Sequence, residues 1–368
     1  LQDAGGELSL GDRLRRLLTD KALLLILDNL EQVLAAAPDI ATLLANCPEL
    51  VVLATSRAPL HISGERMVRI APLPLPDPLP GHDAAAPAAE VLRSDAVRLF
   101  VERAQDVSND FALTEENAGA VAAICRQLDG LPLAIELAAA RVKILPPPAL
   151  QARLERRLPL LTGGPRDAPQ RQRTMRDAIA WSYDLLRDEE QALFRSLSVF
   201  VGGFTLDAAA AVARGEDSAN GAEELALLDG ISALVEASLL AVADTAGDQP
   251  RYGMLETVRE FGLEMLAASG EERAARQRHA DYFQLLAERA HDAALRGSFR
   301  SSLVDDLANL RAALAWFEQA GEAEQSLRLA GALWPIWYVR GPYHEGRDWV
   351  ERALARGGDA DAAARGRA

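Results

Sequence analysis

Two apolar runs near the N-terminus restrict what this chain can fold into. KALLLIL at 21–27 ends in Asp28 and Asn29, and VVLATSR at 51–57 ends in Thr55, Ser56 and Arg57. Neither run alternates apolar with polar residues, as half-buried strands do, and the ~20 residues between them hold a helical stretch and a short loop. The expected unit is βαβ, with parallel strands covered by helices on both faces. In open parallel sheets ligands gather beyond the carboxyl ends of the strands. An Asp at one strand end beside Thr-Ser-Arg at the next therefore points to a phosphate and metal site.

In P-loop NTPases a carboxylate ending an apolar strand holds Mg²⁺, while a Gly-rich loop and its Lys cradle the phosphates upstream. Lys21 and Lys143 are the only lysines, and neither lies in a G-x-x-x-x-G-K-[ST] string. The chain starts at Leu1 in the polar stretch LQDAGGELSLGDRLRRLLTD, and the expectation is a fragment cut after its P-loop.

A chain of 368 residues exceeds what one hydrophobic core supports, so several modules are expected. Its formal charge of −15 repels phosphate at long range and argues against a general binder of nucleic acid or anionic membranes. An anionic ligand then needs a local site. Cys47 and Cys125 form no C-x-x-C, so neither a disulfide framework nor a cysteine metal site is indicated, and a reducing cytoplasm fits. No apolar run reaches the ~18 to 20 residues that span a bilayer. His61, His82, His279, His291 and His344 are scattered without an H-x-x-x-H pair, which argues against metal or hydrolase chemistry.

Four modules follow from the punctuation. Residues 1–82 form the α/β part, in which MVRIAPL offers a last strand before Pro72, Pro74, Pro76, Pro78 and Pro80 prescribe an extended linker. Residues 89–165 read as helical. Val91, Leu92, Val97, Leu99, Phe100 and Val101 make an apolar stripe, Thr114 caps the next helix, Gly130 stops it, and Pro132 opens GLPLAIELAAARVKIL, which Pro146, Pro147 and Pro148 end. After a second linker, LTGGPRDAPQ, residues 170–268 give helices followed by a two-stranded hairpin and another helix, the pattern of a winged helix. Residues 271–368 read as helix pairs of roughly tetratricopeptide length, stopping mid-array, with Trp316, Trp334, Trp337 and Trp349 as helix-pair core.

Nine strings in order carry a resemblance: LLLILDNLEQVL, LANCPELVVLATSRAPL, GERMVRIAPLPLP, AVRLFVERA, ICRQLDGLPLAIELAAARVKIL, AIAWSYDLL, FRSLSVFVGGFTLDAAAAV, YGMLETVREFGLEML and LRAALAWFEQAG. Together they resemble the bacterial signal-transduction STAND ATPases, related in plan to NB-ARC proteins, and most of all the subgroup with LuxR-type and cyclase-linked regulators. The resemblance implies a multidomain α/β plus α protein: the C-terminal part of a P-loop NTPase sheet, a helical domain, a winged helix and tetratricopeptide-like repeats. It also implies a cytoplasmic ATP/ADP-dependent switch, with Mg²⁺, in which the repeats sense a protein partner or small-molecule signal and activation brings homo-oligomerisation.

By the same resemblance, Asp28 is the Walker B acid that holds the Mg²⁺ water shell. Asn29 stands where many such ATPases carry an acidic base, and an amide cannot accept water's proton, so hydrolysis should be slow. Thr55, Ser56 and Arg57 fall at the sensor, with the guanidinium near the γ-phosphate. Pro132 packs on the adenine. Met254, Leu255 and Glu256 replace the Met-His-Asp of NB-ARC relatives as an interdomain switch, and Leu255 removes the imidazole there. No P-loop residue carries over, so the fragment alone should have negligible ATPase activity.

Charge tests whether the winged helix meets DNA. Residues 170–267 hold 8 arginines, no lysine and 17 carboxylates, a formal charge of −9. Without a basic footprint the module is expected to act as an interdomain clamp and not to bind DNA directly. The alternative is a protein-interaction scaffold with a vestigial nucleotide site.

Overall fold

The computed structural model describes residues 9–77, 87–154, 157–162, 164, 173–214, 221–243, 249–295, 301–340 and 343–356. Pro78, Pro80, most of the second linker, the hairpin tip at 244–248 and the end of the helical array from 357 lie outside them. The chain divides into two units, residues 1–71 with 236–238, and residues 72–235 with 239–368. Among the described residues no helix is long and apolar enough to cross a membrane.

In the first unit, helix α1 (Leu10–Leu18) precedes strand β1 (Leu23–Leu27), helix α2 (Ala37–Asn46) and strand β2 (Leu50–Ala54). Ser9 caps α1 by accepting the Asp12 N–H at 3.2 Å. The strands pair in parallel, Leu23 opposite Leu50 and Leu27 opposite Ala54, as the βαβ pattern requires. Side chains alternate across this pair. Leu25, Leu50 and Val52 face one way and pack with Leu18, Leu43, Leu44 and Cys47 from the helices and their ends. Leu24, Ile26, Val51 and Leu53 face the other way and are each more than half exposed. The expectation of strands covered on both faces is thus corrected: among the described residues α1 and α2 supply one apolar layer, on one face. The expected strand at MVRIAPL is absent too. The stretch lies outside any ladder, with Met67, Val68 and Ile70 at least three-quarters exposed. β propensity alone does not make a strand, because the backbone must find a partner edge.

The second unit is almost wholly helical. Its first part holds α3 (Ala88–Val91), α4 (Asp95–Val107), α5 (Glu115–Gln127), α6 (Pro132–Ala139) and α7 (Pro147–Arg153). Val91, Val97 and Phe100 of the apolar stripe are buried, whereas Leu92, between α3 and α4, is exposed. Thr114 forms the expected cap as a full capping box with Asn117. Two expectations change. The helix opened by Pro132 ends at Ala139 and turns replace its last residues, while Pro147 and Pro148 begin α7, where a missing N–H leaves no helical bond unmade. The proline linker is also more than a spacer. The Leu73 N–H donates to the Gly130 carbonyl at 2.9 Å, and Ser94 Oγ to that of Pro74 at 2.7 Å.

Next come α8 (Met175–Asp184), α9 (Asp188–Leu197), β3 (Phe204–Thr205), α10 (Leu206–Arg214), α11 (Gly221–Glu236), β4 (Ala241–Ala243), β5 (Arg251–Gly253) and α12 (Glu256–Ser269). The expected two-stranded hairpin gains a third strand, in the order β3-β5-β4, all antiparallel. Tyr183, Phe194 and Phe261 meet at the centre of α8, α9 and α12.

Helices α13 (Glu272–Leu295), α14 (Leu307–Ala320), α15 (Ala323–Arg340) and α16 (Tyr343–Arg356) complete the described chain. Of the tryptophans, Trp337 is buried core, but Trp334 is nearly half exposed, and Trp349 lies under the Arg352 guanidinium at 4.1 Å. A polar seam joins α14 to the winged helix. The Asn309 amide accepts the Val201 N–H at 2.7 Å and donates to the Gly203 carbonyl at 2.8 Å. Arg251 donates to Asp306 at 2.6 Å, with both side chains nearly buried.

Candidate functional site

The register of β1 and β2 brings Asp28 and Thr55 to the same sheet edge. The Thr55 N–H donates to the Leu27 carbonyl at 2.9 Å, and the Leu30 N–H to the Thr55 carbonyl at 3.0 Å, so the ladder continues one residue past the strands. The Thr55 hydroxyl donates to Asp28 Oδ1 and accepts the Asn29 N–H at 2.9 Å. Asn29 adopts a left-handed backbone, φ 71°, which its residue type tolerates better than most and which turns the chain sharply after the carboxylate.

This geometry gives the residues distinct capacities. A hydroxyl has one proton to donate, and Thr55 spends it on Asp28, so in this arrangement Thr55 orients the carboxylate instead of donating to a phosphate. Ser56 Oγ accepts the Ala58 N–H at 3.2 Å within its own loop. Arg57 Nε lies 4.0 Å from a carboxylate oxygen of Glu31, whose side chain is only 7% exposed. Sequence reading passed over Glu31, which sits in the turn after Asn29. A carboxylate held at a strand end, with a guanidinium two residues beyond its hydroxyl partner, suits a divalent cation and phosphate oxygens.

Pro132, Met254, Leu255 and Glu256 belong to the second unit. Pro132 is the first residue of α6 and is exposed. Glu256 opens α12, and its surroundings hold the residues that sequence reading missed. The Glu256 N–H donates to Asp129 Oδ2 at 3.0 Å. Its carboxylate pairs with Arg259 one turn on and with Arg157 at 3.3 Å. Glu260 Oε2 accepts the N–H groups of Arg157 at 2.9 Å and Leu158 at 3.3 Å, while Arg157 Nε donates to the Gln127 carbonyl at 2.8 Å. Burial pushes the Asp129 carboxyl above its ordinary range, against the Glu256 N–H and Arg157. Burial acts on Glu256 the same way, but Arg259 and Arg157 together hold it below that range. One signal for Asp129 was present in the sequence, an Asp before a Gly at a helix end, where a left-handed residue is needed; its φ is 53°.

Comparison with known proteins adds a class for one module. Residues 186–267 match the winged helix-turn-helix domain; by the order β3, α10, α11, β4, β5 within them, α10 and α11 correspond to its helix-turn-helix pair. Over 346 residues the chain is 41% identical to Rv0890c of Mycobacterium tuberculosis and to Mb0914c of Mycobacterium bovis, provisionally named HTH-type transcriptional regulators. Those alignments cover 93% of this chain but 37% of each relative. Rv0894 of Mycobacterium tuberculosis, an uncharacterized protein, is 37% identical over 278 residues, covering 75% of this chain and 65% of its own length. A crystal structure of PH0952, a STAND protein with a tetratricopeptide repeat sensor from Pyrococcus horikoshii, aligns over 95% of this chain and 46% of that one at 14% identity. The TM-score of that alignment is 0.26.

Proposed function

We propose that this chain serves a nucleotide-switched transcriptional regulator of the STAND type, in the LuxR-type and cyclase-linked subgroup. The observation that carries this reading is the Thr55–Asp28 hydrogen bond at the paired ends of β1 and β2. It holds a carboxylate where an open parallel sheet presents its ligand. ATP or ADP would bring Mg²⁺, which neutralises phosphate charge. On this reading Asp28 would hold the metal's water shell and Ser56 and Arg57 would face phosphate oxygens, while the family resemblance alone assigns Pro132 to the base and Met254, Leu255 and Glu256 to relaying occupancy. Asn29 lacks a carboxylate base, so turnover is slow and the bound nucleotide acts as a state marker. The helical array from residue 271 receives a partner or small-molecule signal.

The test is Mg²⁺-dependent ATP and ADP binding by calorimetry on the full-length gene product and on its Asp28→Ala variant. Micromolar binding that weakens in the variant supports the switch. No binding by the full-length protein favours the scaffold reading.

The winged helix-turn-helix match and the names of the mycobacterial relatives favour a second reading, direct DNA contact. Charge stands against it. The second helix of the pair, α11, carries Glu223, Glu224, Asp229 and Glu236 and no basic residue, and a helix of that kind repels phosphate from the groove it would enter. We therefore assign the module to an interdomain clamp. An electrophoretic shift of DNA by the 368-residue chain at ~100 mM salt would reverse the assignment.

A further inference from the structure

The contacts between the α3–α7 part and α12 are reciprocal. Asp129, at the end of α5, satisfies the first N–H of α12 at 3.0 Å. Glu260, on α12, satisfies the N–H groups of Arg157 and Leu158 at 2.9 and 3.3 Å. Each side lends a carboxylate to backbone donors that the other side leaves unpaired at a chain turn or helix start. Arg157 ties the two caps together, because it reaches both the Gln127 carbonyl at 2.8 Å and the Glu256 carboxylate at 3.3 Å.

The joint also leaves polar groups unsatisfied. Gln127 Oε1 and Thr257 Oγ1 are buried without a hydrogen-bond partner among the described residues. Both belong to residues at the joint or next to it: Gln127 supplies the carbonyl that Arg157 holds, and Thr257 follows Glu256. Buried, unpaired polar atoms favour the state in which water reaches them. Asp129 adds to this, since its charged form is penalised by burial. A contact held by charge-assisted caps and opposed by orphaned polar atoms is less favoured than a fully satisfied one, and its polar groups can be met by water when it parts.

We propose that Asp129, Arg157, Glu256 and Glu260 form a two-way latch that opens as one unit and releases α12 from the helical part. The inference rests on the reading of Met254, Leu255 and Glu256 as a switch, and its test uses no nucleotide, so failure of ATP binding and failure of the latch are read separately.

The experiment is hydrogen exchange with mass spectrometry on the 368-residue chain, comparing the first turn of α12 with residues 157–158, and using α14 as a fold control. Asp129→Ala removes the cap on α12 and is expected to raise exchange about five- to ten-fold at both places. Glu260→Ala does the same from the other side, and the double variant adds little to either single one. Glu256→Gln is isosteric, keeps both backbone donors and weakens the pairing with Arg157 and with Arg259; Arg259→Gln, which touches only the pairing within α12, is the control, and Glu256→Gln raises exchange at both places by a smaller factor than the alanine variants but more than that control. If each alanine variant loosens only the donors it touches, with additive effects in the double variant, or if Glu256→Gln changes nothing, the latch is overturned and the contacts are independent caps.

Discussion

Acidification from about pH 7 to about pH 4.5 is expected to loosen the junction of α13 with the winged helix through one side chain, His279. The ring is 3% exposed and lies between Phe200 and Phe283, with centroids at 5.2 and 4.7 Å. Asn309 assigns its tautomer. The Asn309 amide nitrogen donates to Gly203, so Oδ1 is the acceptor facing His279 Nε2 at 3.3 Å, and Nε2 carries the proton. Protonation would add a charge and a second donor, Nδ1–H, against phenyl rings. Burial, helped by the nearby Arg276, lowers the pKa from 6.5 to about 4 despite the Asn309 hydrogen bond. The sign follows. With a depressed folded pKa the neutral ring contributes stability that is intact above 6.5 and lost as pH falls toward about 4. At ~1.4 kcal/mol per pH unit, the loss by about pH 4.5 is about 2.5 kcal/mol. His279→Gln keeps an Nε2 donor for Asn309 and does not titrate. Hydrogen exchange of the α13 amides, corrected for intrinsic rates, should show wild type losing about 2.5 kcal/mol more protection than the variant over that interval. Equal losses in the two proteins would show that His279 does not set this pH response.

Three further outcomes are expected. Gly130→Ala should destabilise the second unit by more than about 2 kcal/mol in thermal unfolding, because φ is +69° and a Cβ would lie 2.3 Å from the Leu73 carbonyl oxygen; a change under ~0.5 kcal/mol would remove the linker from the argument. Asp306→Ala leaves a nearly buried Arg251 with only the Gly203 and Asp305 carbonyls and should lower stability by about 2 kcal/mol, while Arg251→Met with Asp306→Leu should recover most of it; an additive double variant would show that the two side chains are not coupled. Asp129 has a raised pKa, so its contribution to stability is complete below 3.8 and disappears as pH rises through the folded value. Asp129→Asn retains an acceptor and should be at least as stable as wild type near pH 7, and a lower melting temperature there would mean that Arg157 attraction outweighs burial.

Much of the local structure was legible along the chain because it depends on short-range chemistry. Apolar runs of strand length at 23–27 and 50–54, Thr114 with Asn117 as a capping box, and Pro132 at a first helical position all formed where spacing placed them. What failed was whatever needed a partner far away. MVRIAPL has strand composition but no neighbouring edge among the described residues, and the helix after Pro132 stops at Ala139 although its apolar pattern runs on. Asp28 and Thr55 were each marked by their strand ends, yet the hydroxyl bond between them, 27 residues apart, is set by the parallel register.

The helix starts marked by caps and prolines, the acidic character of the winged helix and the residue types at the strand ends were readable along the chain, since propensity, capping and net charge are local or additive. Tertiary structure alone decided that Asp129 caps a helix 127 residues away, that Glu260 returns the favour to Arg157 and Leu158, and that His279 is held neutral. Such contacts arise where the packed chain leaves a donor unpaired or a ring without water. Those vacancies exist only after the elements have met.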